Sequence, residues 1–166
     1  MAVCYSQELQ ASLRGIEFYQ ALVDIWPDWE HADLAQFLIG KYYERANRTG
    51  ELGADEAEVQ IERGYRAVME NYSDSYLAKR AALNLGMLRF GEGNWSKAVE
   101  YFEWFRARAP QELNRVVISL GQAYEQLGQS VRAFALYVDF LNSAAPGDPL
   151  VPYIEKQLKA LPGDQP

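Results

Sequence analysis

"LNLGMLRFGEGNWSKAVEYFEWFRARAP", residues 83–110, decides the fold. Gly86 and Gly93 stand seven apart, Ala98 follows five later, aromatic residues crowd behind it and Pro110 closes the stretch. As one long helix the segment carries breakers in its middle. As two helices joined by a turn, every breaker has a position. A second stretch keeps step with it at an offset of 35 residues. Gly121 follows Leu120 as Gly86 follows Leu85, Gly128 matches Gly93, Ala133 matches Ala98, Tyr137 matches Phe102, and Pro146 answers Pro110. Gly86 and Gly121 lack a Cβ, so another helix can come close. Gly93 and Gly128 suit the left-handed position that ends a helix. Ala98 and Ala133 keep the second helix near the first, the aromatics fill the space above them, and Pro110 and Pro146 stop it for want of an N–H.

The class is all-α. Proline is absent between Pro27 and Pro110. Residues 79–90 place Leu83, Leu85, Met87, Leu88 and Phe90 over two adjoining helical faces, with no β-branched alternation to compete. The order Leu-Gly, Tyr, Ala, aromatic, Pro resembles the tetratricopeptide repeat, a helical hairpin of about 34 residues. "VISLGQAYEQLGQSVRAFALY", residues 117–137, matches it through Leu120, Gly121, Tyr124, Ala133 and Tyr137. The preceding copy departs at Ala82, where the family has Trp, and at Arg89, where it has Tyr.

Weaker copies lie upstream. Gly40 and Tyr43 keep the glycine-to-tyrosine spacing, and Tyr65 stands eight before Ser73 as Phe102 stands eight before Pro110. Gly40 to Ile61 spans 21 steps where the later units have twelve, which predicts about nine extra residues in an enlarged turn near "NRTGELGADEAE". Tyr19 stands eight before Pro27, the second helix of a unit without its first. The expected organisation is a single domain over 1–166: an orphan helix at 6–26, repeats at 29–73, 76–110 and 112–146, and a capping helix at 149–161. In that cap Val151, Ile154, Leu158 and Leu161 form an apolar stripe, with Glu155, Lys156 and Lys159 polar. Beginning on half a repeat points either to a genuine cap or to a longer parent protein. The "ENYSDS" motif and the extended first loop are similar to those of bacterial envelope-associated repeat proteins, which implies a periplasmic or envelope location ahead of the cytoplasm.

Sixteen basic against 23 acidic residues leave a net charge of −7, and the arginines are scattered, which argues against a nucleic-acid partner. No apolar run of about 18 residues exists to span a membrane. The single cysteine, Cys4, cannot close an intramolecular disulfide, and with only three residues before it, where a lipoprotein cysteine follows a long apolar signal, it is expected to be an incidental thiol near a frayed end. Catalysis, metal and cofactors are not expected. His31 is the only histidine and reads as a surface residue at a helix start. Asp55, Glu56, Glu58 and Glu62 read as a solvated, dipole-favoured first stretch of helix. Gly91 and Gly93 end a helix rather than cradle a phosphate. Ser6, Ser73, Ser96 and Ser130 read as caps or turn residues. In the aromatic block, Phe102 and Phe105 should face inward with Ala98, leaving Tyr101 and Trp104 on the opposite side.

The family resemblance implies a concave groove lined by first helices, with ligand-facing positions six and three before the central glycine and one and four after it. Here these are Leu34, Phe37, Lys41 and Glu44; Arg80, Leu83, Met87 and Phe90; Arg115, Ile118, Gln122 and Glu125. Apolar residues in the middle with flanking arginines suit an extended peptide or a partner helix carrying acidic groups. The carboxylate clamp of chaperone-tail receptors is not reproduced: of Phe37, Lys41, Asn84, Arg115 and Ser119 only Asn84 fits it outright. The expected function is a non-catalytic scaffold for a protein or peptide. The alternatives are self-assembly into a homo-oligomer through the exposed end of the incomplete first repeat, and a regulatory or targeting module of a larger protein. A small-molecule or lipid pocket between helices ranks last.

Overall fold

The computed structural model describes residues 11–161, and all secondary structure there is helical. Cys4, Ser6 and the start of the expected orphan helix lie outside the described residues. The helices are α1 (Ala11–Ile25), α2 (Ala32–Thr49), α3 (Ala54–Asn71), α4 (Tyr76–Gly91), α5 (Trp95–Arg108), α6 (Val117–Gln126), α7 (Ser130–Ser143) and α8 (Val151–Ala160), with a 3-10 segment, Pro110–Arg115, ahead of α6. Helices adjacent in sequence pack on one another: α1 on α2, α2 on α3, α5 on α6, α6 on α7 and α7 on α8. Two compact units part at Ala82, within α4.

In the first unit the helices meet through glycine. A Cβ on Gly40 would lie 2.7 Å from the Tyr65 ring, and one on Gly15 would lie 2.7 Å from the Tyr42 ring. Opposite Gly40 stands Gly64, whose own Cβ would come within 3.0 Å of the Gly40 backbone. The α2 and α3 backbones therefore approach to a distance that no side chain permits at that point. Around the crossing, Ala35, Ile39, Ala46, Ala57, Ile61 and Val68 are buried. The turns are tied too: Tyr72 Oη donates to the Pro27 carbonyl at 3.0 Å, and the Ser75 hydroxyl donates to Asp33 while accepting from Leu77 N at 3.0 Å. Burial first, then the Asp28 and Asp33 carboxylates, push the Tyr72 hydroxyl above its ordinary range.

The second unit repeats the device. The missing Cβ of Gly86 faces the Phe102 ring and that of Gly121 faces the Tyr137 ring, both closer than in the first unit. Gly50, Gly93 and Gly128 all adopt positive φ, at 74°, 73° and 68°. In each case the following N–H (Glu51, Asn94, Gln129) reaches the carbonyl five residues back, at 2.8 Å. These are three copies of one helix stop. Ile154 of α8 is buried while Glu155, Lys156 and Lys159 are exposed, the amphipathic division expected of that segment.

The expected enlarged turn is not a turn. The nine extra residues between Gly40 and Ile61 lengthen the helices instead. Helix α2 runs nine residues past Gly40 where α4 runs five past Gly86, the loops hold four residues against three, and α3 begins seven residues before Ile61 where α5 begins three before Ala98. That is four, one and four. Gly50 delays the stop of α2, and Asp55 and Glu56 favour an early start for α3 at its positive dipole end. The expected serine caps differ as well: the side chain of Asn94, not Ser96, accepts from Lys97 N at the start of α5, and α7 begins at Ser130 without a side-chain cap. Tyr101 is buried along with Phe102 and Phe105, so the aromatic block divides three inward to one. Only Trp104 lies half out, with the Arg108 guanidinium carbon 3.9 Å from its ring centroid.

Gly121→Ala would drive a methyl into the buried Tyr137 ring and should cost about 1–3 kcal/mol in urea unfolding. Gly91→Ala, with nothing within 4 Å and no positive φ, should instead raise stability by about 0.5–1 kcal/mol.

Candidate functional groove

The twelve expected groove positions divide into those that face outward and those consumed by packing. In the first unit Leu34, Lys41 and Arg80 are exposed. Phe37 is not: it is 5% exposed, its ring centroid 5.4 Å from that of Tyr65, with the Arg80 guanidinium carbon 5.6 Å above it. Glu44 accepts from Tyr65 Oη at 2.7 Å and pairs with Lys41 at 2.5 Å. Phe37 and Glu44 thus belong to the fold rather than to a ligand surface, because the ring set against Gly40 needs both an apolar neighbour and an acceptor for its hydroxyl.

In the second unit the pattern recurs. Glu125, four residues after Gly121 as Glu44 is four after Gly40, accepts from Tyr137 Oη at 2.7 Å. Phe90, four after Gly86, faces Phe102, which has no hydroxyl; the ring centroids lie 6.4 Å apart and Trp95 closes on Phe90 edge-on at 5.1 Å. Where the inserted ring carries a hydroxyl, a carboxylate stands at the position after one helical turn; where it does not, a second ring does. Arg115, expected to pair with a ligand's acidic group, is engaged by Glu112 at 2.6 Å and lies over the Phe105 ring.

Leu83, Met87, Ile118 and Gln122 remain as an accessible set. Met87 is 42% exposed, and Ser119 Oγ donates to its sulfur at 3.8 Å. Gln122 Nε2 donates to Tyr153 Oη at 3.1 Å, which brings α8 onto the same face. Leu83 and Ile118 are half-buried beside them. Tyr153 sits in the segment read as a cap, and its contribution to this face depends on the α7–α8 turn, which no sequence periodicity reports.

Two further clusters escaped the sequence reading. Glu103 of α5 receives the Tyr124 hydroxyl, pairs with Arg106 at 2.9 Å and accepts from Arg132 at 3.5 Å, while the Arg132 guanidinium carbon lies 4.3 Å from the Tyr124 ring centroid. That network joins α5, α6 and α7. Arg89, at the repeat's tyrosine position, is almost wholly buried and donates to Glu92 at 2.7 Å. Among the described residues no group of three or more His, Cys, Asp or Glu side chains is arranged to hold a metal ion, and no helix is long and apolar enough to cross a membrane. No family model and no curated protein matches the chain.

Burial, then the hydrogen bond and charge of Glu125, push the Tyr137 hydroxyl far above its ordinary range. A raised folded-state value means its contribution to stability is intact below about pH 10 and is lost as pH rises beyond that. Tyr137→Phe should cost about 1 kcal/mol at neutral pH and flatten this alkaline loss, measured by urea unfolding across pH.

Proposed function

We propose that the chain is a non-catalytic, tetratricopeptide-type interaction module that holds a peptide or partner protein against the face formed by its first helices. The observation that carries this reading is the cluster of Leu83, Met87, Ile118, Gln122 and Tyr153, in which the Met87–Ser119 and Gln122–Tyr153 contacts bring three helices to one accessible surface. Its exposed thioether adapts to varied apolar partners. Gln122 and Tyr153 beside it supply hydrogen-bonding groups that orient a bound chain. The repeat spacing of glycine, alanine and aromatic supports a stack of hairpins, in which such a face is continuous.

A Met87→Glu, Ile118→Glu double variant should retain its helical circular dichroism. It should lose about tenfold or more of the partner retained by wild type in quantitative capture from the source extract. Equal retention with the fold intact rejects this face.

A second reading, self-association, is favoured by a separate surface. Phe18, Ile25, Trp26 and Trp29 are all exposed, Trp26 at 57%, and the last three line an apolar cleft at the end of α1. Exposed aromatics gathered in one place mark contact sites. On this reading sedimentation velocity shows a mass that rises with concentration, and Trp26→Glu restores the monomer. A monomer at every concentration removes the reading.

A further inference from the structure

Helix α1 has the ring position of a hairpin's second helix, but no described helix precedes it. Tyr19 stands eight before Pro27 as Phe102 stands eight before Pro110, so α1 can be compared residue by residue with α3, α5 and α7. The residue just before the ring is Phe18 in α1, against Gly64, Tyr101 and Leu136 in the others. Three residues after the ring stands Leu22, against Val68, Phe105 and Phe140. All of these counterparts are buried, whereas Phe18 is 60% exposed and Leu22 is half-buried. Gly64 shows what covers the position of Phe18, because it lies against the Gly40 backbone of its own first helix. The side of α1 that a first helix would cover is therefore open, and it is apolar.

Arg14, Phe18, Ala21 and Ile25 keep the i, i+4, i+7, i+11 spacing of one helical face, and all four are exposed. Ser12, Ile16 and Val23 lie on the opposite face and are buried. The open side has a direction in its charge: Arg14 stands near the start of α1 and Asp24 near its end. A second α1 laid antiparallel sets each Arg14 beside the other's Asp24, whereas a parallel one sets like charge against like. The room for a ring is present too. With a two-fold axis between Phe18 and Ala21, each phenyl lies over the other copy's alanine, as Tyr65, Phe102 and Tyr137 lie over glycines within the hairpins. The two helices of a hairpin joined by a short turn also run antiparallel, so the second copy takes the orientation of the helix that α1 lacks.

We propose that α1 pairs with α1 of a second copy, antiparallel about a two-fold axis, each covering the face that a first helix covers in the other hairpins. This rests on the self-association reading above and gives it a geometry. Phe18 meets Ala21 at the centre, Ile25 and Trp26 lie beyond them, and Arg14 pairs with Asp24 at the rim. The same patch serves on both copies, so the contact closes on itself and assembly stops at two.

Sedimentation velocity of the full chain should show a mass that rises with concentration to twice that of the monomer and no further. Phe18→Glu should leave only monomer. Ala21→Leu should weaken the dimer about tenfold or more although it adds apolar area, because the phenyl loses its room; an unspecific apolar contact would tighten. Arg14→Asp and Asp24→Arg should each weaken it about tenfold or more, and an equimolar mixture of the two variants should restore it, since that hybrid carries opposite charges at both contacts. All four positions are exposed, so circular dichroism should be unchanged. A mass that climbs past the dimer, or a dimer dissolved by Trp26→Glu yet indifferent to the Phe18, Ala21 and charge variants, overturns this geometry and leaves self-association standing. A monomer at every concentration overturns both. A monomer that binds a synthetic peptide of residues 76–93, a first helix with its glycine, overturns both and gives the face to a separate partner's helix.

Discussion

In each hairpin an aromatic ring from the second helix lies where a glycine of the first helix has no side chain, and the positions of the other groups follow from that contact. Gly40 receives Tyr65, Gly86 receives Phe102 and Gly121 receives Tyr137. The ring brings a large apolar area into the helix crossing, and the glycine supplies the space at the cost of backbone freedom. Dense packing leaves no tolerance for an added methyl there. The outer end of the inserted ring lies within reach of the residue one turn beyond the glycine. A hydroxyl arriving there must be satisfied, which Glu44 and Glu125 do. A phenyl arriving there needs no acceptor, and Phe90 takes the place.

This constraint also decides which residues stay accessible. Residues one turn after the glycine are drawn into the hairpin, so Glu44, Phe90 and Glu125 serve the ring before they serve any ligand. Phe37 is taken on the other side of the same ring. The positions immediately after each glycine (Lys41, Met87, Gln122) point away from the crossing and keep partial or full exposure. The arginines divide by their local carboxylates rather than by their place in the repeat. Arg115 has Glu112 three residues before it, and Arg80 spreads over Phe37 and Tyr76. Guanidinium groups that already stack and pair contribute packing as much as charge.

Glu103 is the acceptor common to Tyr124, Arg106 and Arg132 where α5, α6 and α7 meet. Opposite charges draw side chains together from further away, while hydrogen bonds between neutral groups need direct contact. The carboxylate therefore gathers two guanidinium groups and a phenol at one crossing of three helices, a set drawn from residues 21 and 29 positions away in the chain as well as three.

What the sequence by itself determined was the helical class, the hairpin spacing and the punctuation. Gly93, Gly128, Ala98, Ala133 and the paired aromatics act through local backbone geometry and the 3.6-residue period, both of which are written in residue order. It also carried the count of nine additional residues in the first hairpin, though not their form. Spacing records how many residues intervene, and whether they coil or extend depends on where a helix stop such as Gly50 falls and on what the added turns can pack against. Only the tertiary structure decided the burial of Tyr101 and Phe37, the use of Glu44 and Glu125 as acceptors and the place of Tyr153. Each of these depends on the rotation of one helix against another, and periodicity along a single helix defines a face without saying which neighbour covers it.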